Sequence, residues 1–429
     1  MPPAMPAFSP SRMNSNRPAS GLNGAERRDA TPGDWLNASR ARAYGGLLAL
    51  AMVIALVGFY GKILAPCLSD AQARPLASDF DTFWAGARLA LQGRPAAAYD
   101  PAAMRVAEQE GAQPQPGQFF AYLYPPVFLL LSLPLGALPY LVALPAFLLA
   151  GFVAASVALA RILPRSWPWW PVLAFPAGLL NAVIGQNGDY SAACFAGALL
   201  WLENRPALAG ACLGLLAFKP QLALCAPVAL LAARRWRALL SCAAVAAALM
   251  AGAWLVLGRE TWLAFLGAAP LARRMLQSPQ IWPKMVSVAS AARLLHGGAA
   301  LAYCAQAASC AAAILVVAAT SRRRPGAGAE MATLVTATML CSPYLWDYDL
   351  VCLAVPLAWL AARATATGWR KLEKPVAAAA YLGPAVVRLI NVGTGVPLAP
   401  LMIAALLAVV TRRIRAPLSA ADAPCVTAV

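Results

Sequence analysis

Apolar stretches recur along the chain from Tyr44 to Thr411, broken by short polar or basic segments. Many approach the roughly 20 residues that a helix needs to cross the hydrocarbon of a bilayer. Strict alternation over about ten residues, the mark of a transmembrane strand, is absent. The pattern predicts an all-α polytopic membrane protein. Residues 1–43 are rich in Pro, Ser, Asn and Arg, have no apolar core and read as a disordered cytoplasmic tail. A transmembrane domain is expected over 44–415, with a second cytoplasmic tail at 416–429.

The basic residues set the expected topology. They cluster at Arg40/Arg42, Arg161/Arg165, Arg205, Arg234/Arg235/Arg237, Arg322 to Arg324, Arg363 through Lys374 and Arg412/Arg413/Arg415. The segment YPPVFLLLSLPLGALP carries Pro125, Pro126, Pro134 and Pro139. Proline removes a helical hydrogen bond and kinks the chain, so this segment reads as a short hairpin in the outer interface. Every basic cluster then faces the cytoplasm, as the positive-inside rule asks. About twelve spans follow, near 44–64, 140–161, 168–184, 189–203, 206–218, 220–233, 237–257, 299–320, 329–345, 348–362, 376–391 and 396–411. Both termini are inside. The outer face receives two long loops, 65–139 with its interfacial helices and 258–298, and three short polar elements, NAVIGQNGDY, FKPQ and SPYLWDYDL.

Composition narrows the class further. The 429 residues are 61% hydrophobic and 12% charged, against about 25% charged in soluble domains. A net charge of +17 would suit nucleic acid, but its placement between apolar runs suits cytoplasmic loops instead. The ten cysteines form no CxxC pair and mostly lie in apolar runs, where Cys acts as a small hydrophobe.

The most acidic patch follows the first span, in SDFDTFWAGARLALQGRPAAAYDP, Ser78 to Pro101. Phe80, Phe83, Trp84, Ala87 and Leu91 make one apolar helix face, and Asp81, Arg88 and Gln92 gather opposite it. A helix flat in the interface would send Asp81 to water and hold Asp79 near the headgroups. Asp79 is then either an N-cap or a carboxylate beside apolar rings, fit to serve as a base.

Those residues, followed by FFAYLYPPVFLLLSLPLGALP, by IGQNGDYSAACFAGALLWLENRPALAGACLGLLAFKPQLALCAPVALLAARRWRAL and by SPYLWDYDLVCLAVPLAWL, resemble the family 87 glycosyltransferases, polytopic members of the GT-C superfamily. The resemblance covers most of Leu47 to Val410. It rests on the ordered set of acidic-aromatic loop, YPP, GQN, KP and SPY-x-W. It implies a GT-C-like helical bundle. The implied activity is transfer of a mannose-like hexose from a polyprenyl-phosphate donor to an extracytoplasmic glycan or glycolipid acceptor. It also implies an acidic base in the first outer loop for an inverting displacement. Asp79 corresponds to that base by position, and Asp81 is an addition.

Phosphate departing in such a reaction needs cationic donors. The second outer loop offers Arg273, Arg274 and Lys284 among aromatic residues, and anionic lipid could equally attract them. Lys219, before Pro220, is a second candidate, with snorkelling as its plain alternative. Gln186, Asn187 and Asp189 suit sugar hydroxyls, although NGD is also a good turn. Tyr124 of YPP and Tyr344 and Asp347 of SPYLWDYDL complete the expected substrate site. Family members often carry a His near W-x-Y, where this chain has Asp347 and Asp349. No cofactor is expected. A divalent metal on Asp79 and Asp81 is not favoured, because the two project from opposite helix faces.

The competing readings are a lipid-linked sugar flippase and an inactive envelope-assembly partner. A transporter should carry mid-membrane ionisable residues and repeated halves, whereas here the acids gather in outer loops. The Ala- and Arg-rich bias suggests a bacterial inner membrane, with the site toward the periplasm.

Overall fold

A computed structural model describes residues 38–70, 73–113, 120–164, 172 and 174–415. Most of both expected tails therefore lies outside the described residues. The described residues are mostly helical and contain no strand, only two isolated bridges, Leu76 with Gln113 and Met285 with Trp346.

Among the described residues, six helices are long and apolar enough to cross a bilayer: Ser39–Cys67, Tyr140–Ile162, Trp236–Leu257, Ala299–Arg322, Asp347–Thr367 and Glu373–Thr394. The first helix starts at Ala38 and runs to Ser69, longer at both ends than its apolar run predicts. Several other expected spans are too short to cross alone. Gly188–Trp201 has 14 residues, Pro206–Leu215 has 10, and 220–233 is divided between Pro220–Ala223 and Ala226–Ala232. At about 1.5 Å per residue, none reaches the ~30 Å of hydrocarbon. The expected span at 168–184 falls partly outside the described residues, and its described part is the helix Pro176–Ile184.

Small residues let these short helices pack closely, the usual device where lipid supplies no hydrophobic drive between helices. Gly210 and Gly214 sit four apart on Pro206–Leu215 and face Trp236–Leu257. A Cβ at Gly210 would lie 2.0 Å from the Ala238 carbonyl oxygen, and one at Gly214 2.6 Å from that of Cys242.

The described part of the expected first outer loop is well packed. Residues 75–77 are tied to Gln113, whose amide donates to the Pro75 carbonyl at 2.7 Å and whose carbonyl accepts from the Ala77 amide at 3.1 Å. Phe80, Phe83, Trp84 and Ala87 are buried as their spacing predicts, while Leu91 is exposed. The hairpin segment forms the 11-residue helix Pro126–Gly136, about half a bilayer long. It lies on Phe80–Leu91, and the Trp84 indole N–H reaches the Leu138 carbonyl at 2.9 Å.

One expectation is overturned. Asp81 does not face water: it is 1% exposed and accepts a hydrogen bond from the Tyr140 hydroxyl. The Asp81 end of the polar face of Phe80–Leu91 is covered by Pro101–Gly111 and by the start of Tyr140–Ile162, while Gln92 stays exposed. Helical period cannot reveal such a cover.

Candidate functional site

Gly185 opens the site. It ends the helix Pro176–Ile184 in the left-handed region, φ +83°, and a Cβ there would meet Ser78 Oγ at 2.9 Å. Glycine permits both the turn and the contact. The first outer loop therefore docks directly on GQN, and the Asp79 amide donates to the Ile184 carbonyl at 3.1 Å.

Asp79 stands at the N-cap position of Phe80–Leu91, yet its side chain makes no cap hydrogen bond. It accepts instead from Gln186 Nε2 at 2.9 Å. The Gln186 carbonyl oxygen in turn accepts from the Tyr124 hydroxyl at 3.0 Å, and Asn187 Oδ1 lies 3.4 Å from the same hydroxyl. The amide is well used: its N–H meets a carboxylate and its oxygen meets a hydroxyl. The plain cap reading of Asp79 fails on this geometry.

Burial raises the Asp79 carboxyl above its ordinary value, while the Gln186 hydrogen bond and the positive charges of Lys284 and Arg388 oppose that shift. The neighbourhood suits a base, since a raised carboxyl holds a proton better than a free one does. Asp81 is raised to about 7, chiefly by burial, but its oxygen is taken by Tyr140. Glu108 is raised to about 8 by burial and by the nearby Asp81 charge. Each of these two acids keeps one buried oxygen without a hydrogen-bond partner. Asp79 and Asp81 thus have different hydrogen-bond partners, Gln186 and Tyr140.

A second layer lies beneath the aromatic residues. Lys219 is 1% exposed and donates from Nζ to Asp349 at 2.6 Å. The ammonium also lies 4.9 Å from the Tyr348 ring centre and 5.9 Å from that of Tyr124. It is enclosed, not snorkelling. Asp347, fully buried, receives the Arg388 guanidinium through both oxygens. The two aspartates of WDYD each neutralise one cation, and Trp346 stacks parallel on Tyr348 with ring centres 6.1 Å apart.

The second outer loop joins the cluster at one strip. The Val286 amide donates to the Leu345 carbonyl at 2.8 Å, and Asn391 Nδ2 donates to the Pro283 carbonyl at 3.0 Å. Exposed Lys284 is thereby held within electrostatic reach of Asp79. Arg273 and Arg274 lie exposed on the helix Ala269–Leu276, whose helix contacts run to its neighbour Arg259–Gly267. Tyr344 is 47% exposed. Asp189 is buried and braces the GQN turn: its carboxylate accepts from Asn181 Nδ2 at 3.0 Å, while Asn181 Oδ1 takes the Gly188 amide at 2.7 Å.

All five outer elements expected from the sequence therefore meet in one cluster. Arg388 is the member that sequence reasoning missed. It sits within an apolar helix, Glu373–Thr394, and an arginine inside a span is itself a signal of function.

The family model for glycosyltransferase family 87 matches residues 122–343, just over half of the chain. The matched span takes in Tyr124, the GQN turn, Lys219 and Lys284, and it excludes Asp79 and Asp347. No curated protein matches the chain, and no solved structure does.

Proposed function

The chain belongs to glycosyltransferase family 87, and from that premise we propose that this membrane glycosyltransferase moves a mannose-like hexose from a polyprenyl-phosphate donor to an extracytoplasmic glycan or glycolipid. The observation that carries the reading is the Asp79–Gln186–Tyr124 chain of hydrogen bonds with Lys284 and Arg388 beside it.

The proposed step is an inverting displacement. The acceptor hydroxyl oxygen forms a bond to the anomeric carbon as the bond from that carbon to the phosphate oxygen breaks. The electron pair leaves with the phosphate, and the hydroxyl proton passes to Asp79. The transition state has oxocarbenium character, like that of glycoside hydrolysis. Gln186 aims the carboxylate, leaving its other oxygen for the acceptor. Lys284 and Arg388 offset the charge growing on the departing phosphate.

Gln186, Tyr124 and Asn187 suit recognition of sugar hydroxyls, and the Asn187 amide nitrogen is buried without a protein acceptor. Trp346 and Tyr344 supply apolar ring faces. Lys219, Asp349, Asp347 and Asp189 act as positioning residues. Arg273 and Arg274 suit the headgroup region through which a lipid donor would enter.

The test is sugar transfer by the purified protein in lipid, with polyprenyl-phosphate mannose and a panel of glycan acceptors. Wild type should transfer, and Asp79→Asn should lose turnover by about 10²–10⁴ while still binding donor. Asp81→Asn should retain most activity. Loss confined to Asp81→Asn would move the base, and a wild type that consumes no donor would reject the substrate class.

A further inference from the structure

A second polar feature lies at the far end of the bundle. The helix Ala299–Arg322 has 24 residues, about 36 Å at 1.5 Å per residue. Near its start, Gln306 accepts from the Ala289 amide of the second outer loop at 3.0 Å. Its other end, roughly a membrane thickness away, borders a cleft of about 740 Å³. Val228, Leu231, Ala232, Arg234, Ala318, Arg322 and Arg324 line it.

The arginines of this cleft are not paired with acids in the way their neighbour Arg235 is. The neighbouring Arg235 is held by two acids, with Nη2 at 2.6 Å from Glu203 and 2.9 Å from Glu330. Among the described residues, Arg234, Arg322 and Arg324 form no ion pair, although Arg324 feels the charge of Glu203. Arg324 donates to main-chain carbonyls instead, Nε to Ala233 at 2.6 Å and Nη2 to Arg234 at 3.3 Å. Those two bonds use two of its five N–H groups. Arg234 and Arg324 also hold left-handed backbone, φ 54° and 48°, a conformation that costs non-glycine residues energy. The Nη2 bond to the Arg234 carbonyl ties the Arg324 side chain to the turn that carries Arg234, and both residues line the cleft.

The walls suit acyl chain. Ala318 and Arg322 are four apart, and Leu315 and Arg322 seven apart, so they share one helix face. Leu231 of the cleft lining is exposed, as is Leu315, which extends that helix face away from the arginines. Three cations at the end of an apolar groove between membrane helices match a phosphate headgroup whose chains follow the groove. From this we infer that the cleft between Ala226–Ala232 and Ala299–Arg322 is a specific site for an anionic phospholipid, remote from the Asp79 cluster.

The test is lipid binding by the full-length protein in mild detergent, with phosphatidylglycerol titrated against phosphatidylcholine and retention read by native mass spectrometry. The variant Arg234→Gln/Arg322→Gln removes two cleft cations and leaves the Arg324 bonds in place. The control Arg205→Gln/Arg237→Gln removes the same charge at exposed positions outside the cleft lining. Wild type and control should prefer phosphatidylglycerol, and the cleft variant should bind it about tenfold more weakly or worse. Melting in phosphatidylcholine alone should be the same for all three, which separates lost binding from lost folding. Equal losses in the cleft and control variants would reduce the effect to general surface charge and overturn the proposal. So would an unchanged preference in the cleft variant, or full displacement of the lipid by millimolar inorganic phosphate.

Discussion

Gln186 donates its side-chain amide to Asp79 at 2.9 Å across 107 residues of sequence. The bond favours the charged carboxylate against the burial that raises it. Removing the amide should therefore push the Asp79 carboxyl higher still. In Gln186→Ala, the acid limb of the pH–rate profile for sugar transfer should move to higher pH, with a rate loss of about tenfold at neutral pH. Gln186→Glu, which adds a second negative charge, should move the limb further. An unshifted limb in both variants would mean that Asp79 is not the titrating base.

Lys284 and Arg388 approach Asp79 from two different segments. Under the proposed reaction they act on the departing phosphate. Arg388→Gln should lower kcat and leave Asp347 buried and unpaired, so it should also melt earlier than wild type. Lys284 is exposed, and Lys284→Gln should leave melting unchanged while lowering kcat/KM for the charged donor by about 10–100-fold. A Lys284→Gln enzyme with wild-type kinetics would remove that residue from the site.

Asp81 and Glu108 give the first outer loop its own pH dependence. Their folded values, about 7 and about 8, exceed the unfolded values near 4. Between those limits the native state holds protons that the unfolded chain has released. Stability is therefore full below about pH 4 and falls as pH rises through 7 to 8. Wild type should melt lower at pH 8 than at pH 5. Asp81→Asn keeps an acceptor for Tyr140 and should flatten much of that slope, by an amount on the order of a few kcal/mol. Parallel slopes for the two proteins would contradict the assignment.

Lys219 and Asp349 bury a complete ion pair. Removing either partner alone strands a charge and should cost about 3–5 kcal/mol, whereas replacing both with apolar groups of similar size should recover much of it. Melting of Lys219→Met, Asp349→Leu and the double variant would show the coupling. Additive losses would mean that the pair contributes little.

The amino-acid sequence by itself determines the class of this molecule and many of the polar elements of its candidate site. Apolar run length identifies a helical membrane protein because an unpaired backbone is too costly in lipid. Helical period marks Phe80, Phe83 and Trp84 as a buried face, and polar residues at the ends of apolar runs mark the elements that meet around Asp79. Only the tertiary structure decided what covers the opposite face of that helix, and so turned Asp81 from water to Tyr140. It alone paired Lys219 with Asp349 across 130 residues and Asp347 with Arg388 across 41. Sequence periodicity reports which residues share a face of one element. The partner of a buried charge is set by which elements close over it, and that depends on packing between segments distant in the chain.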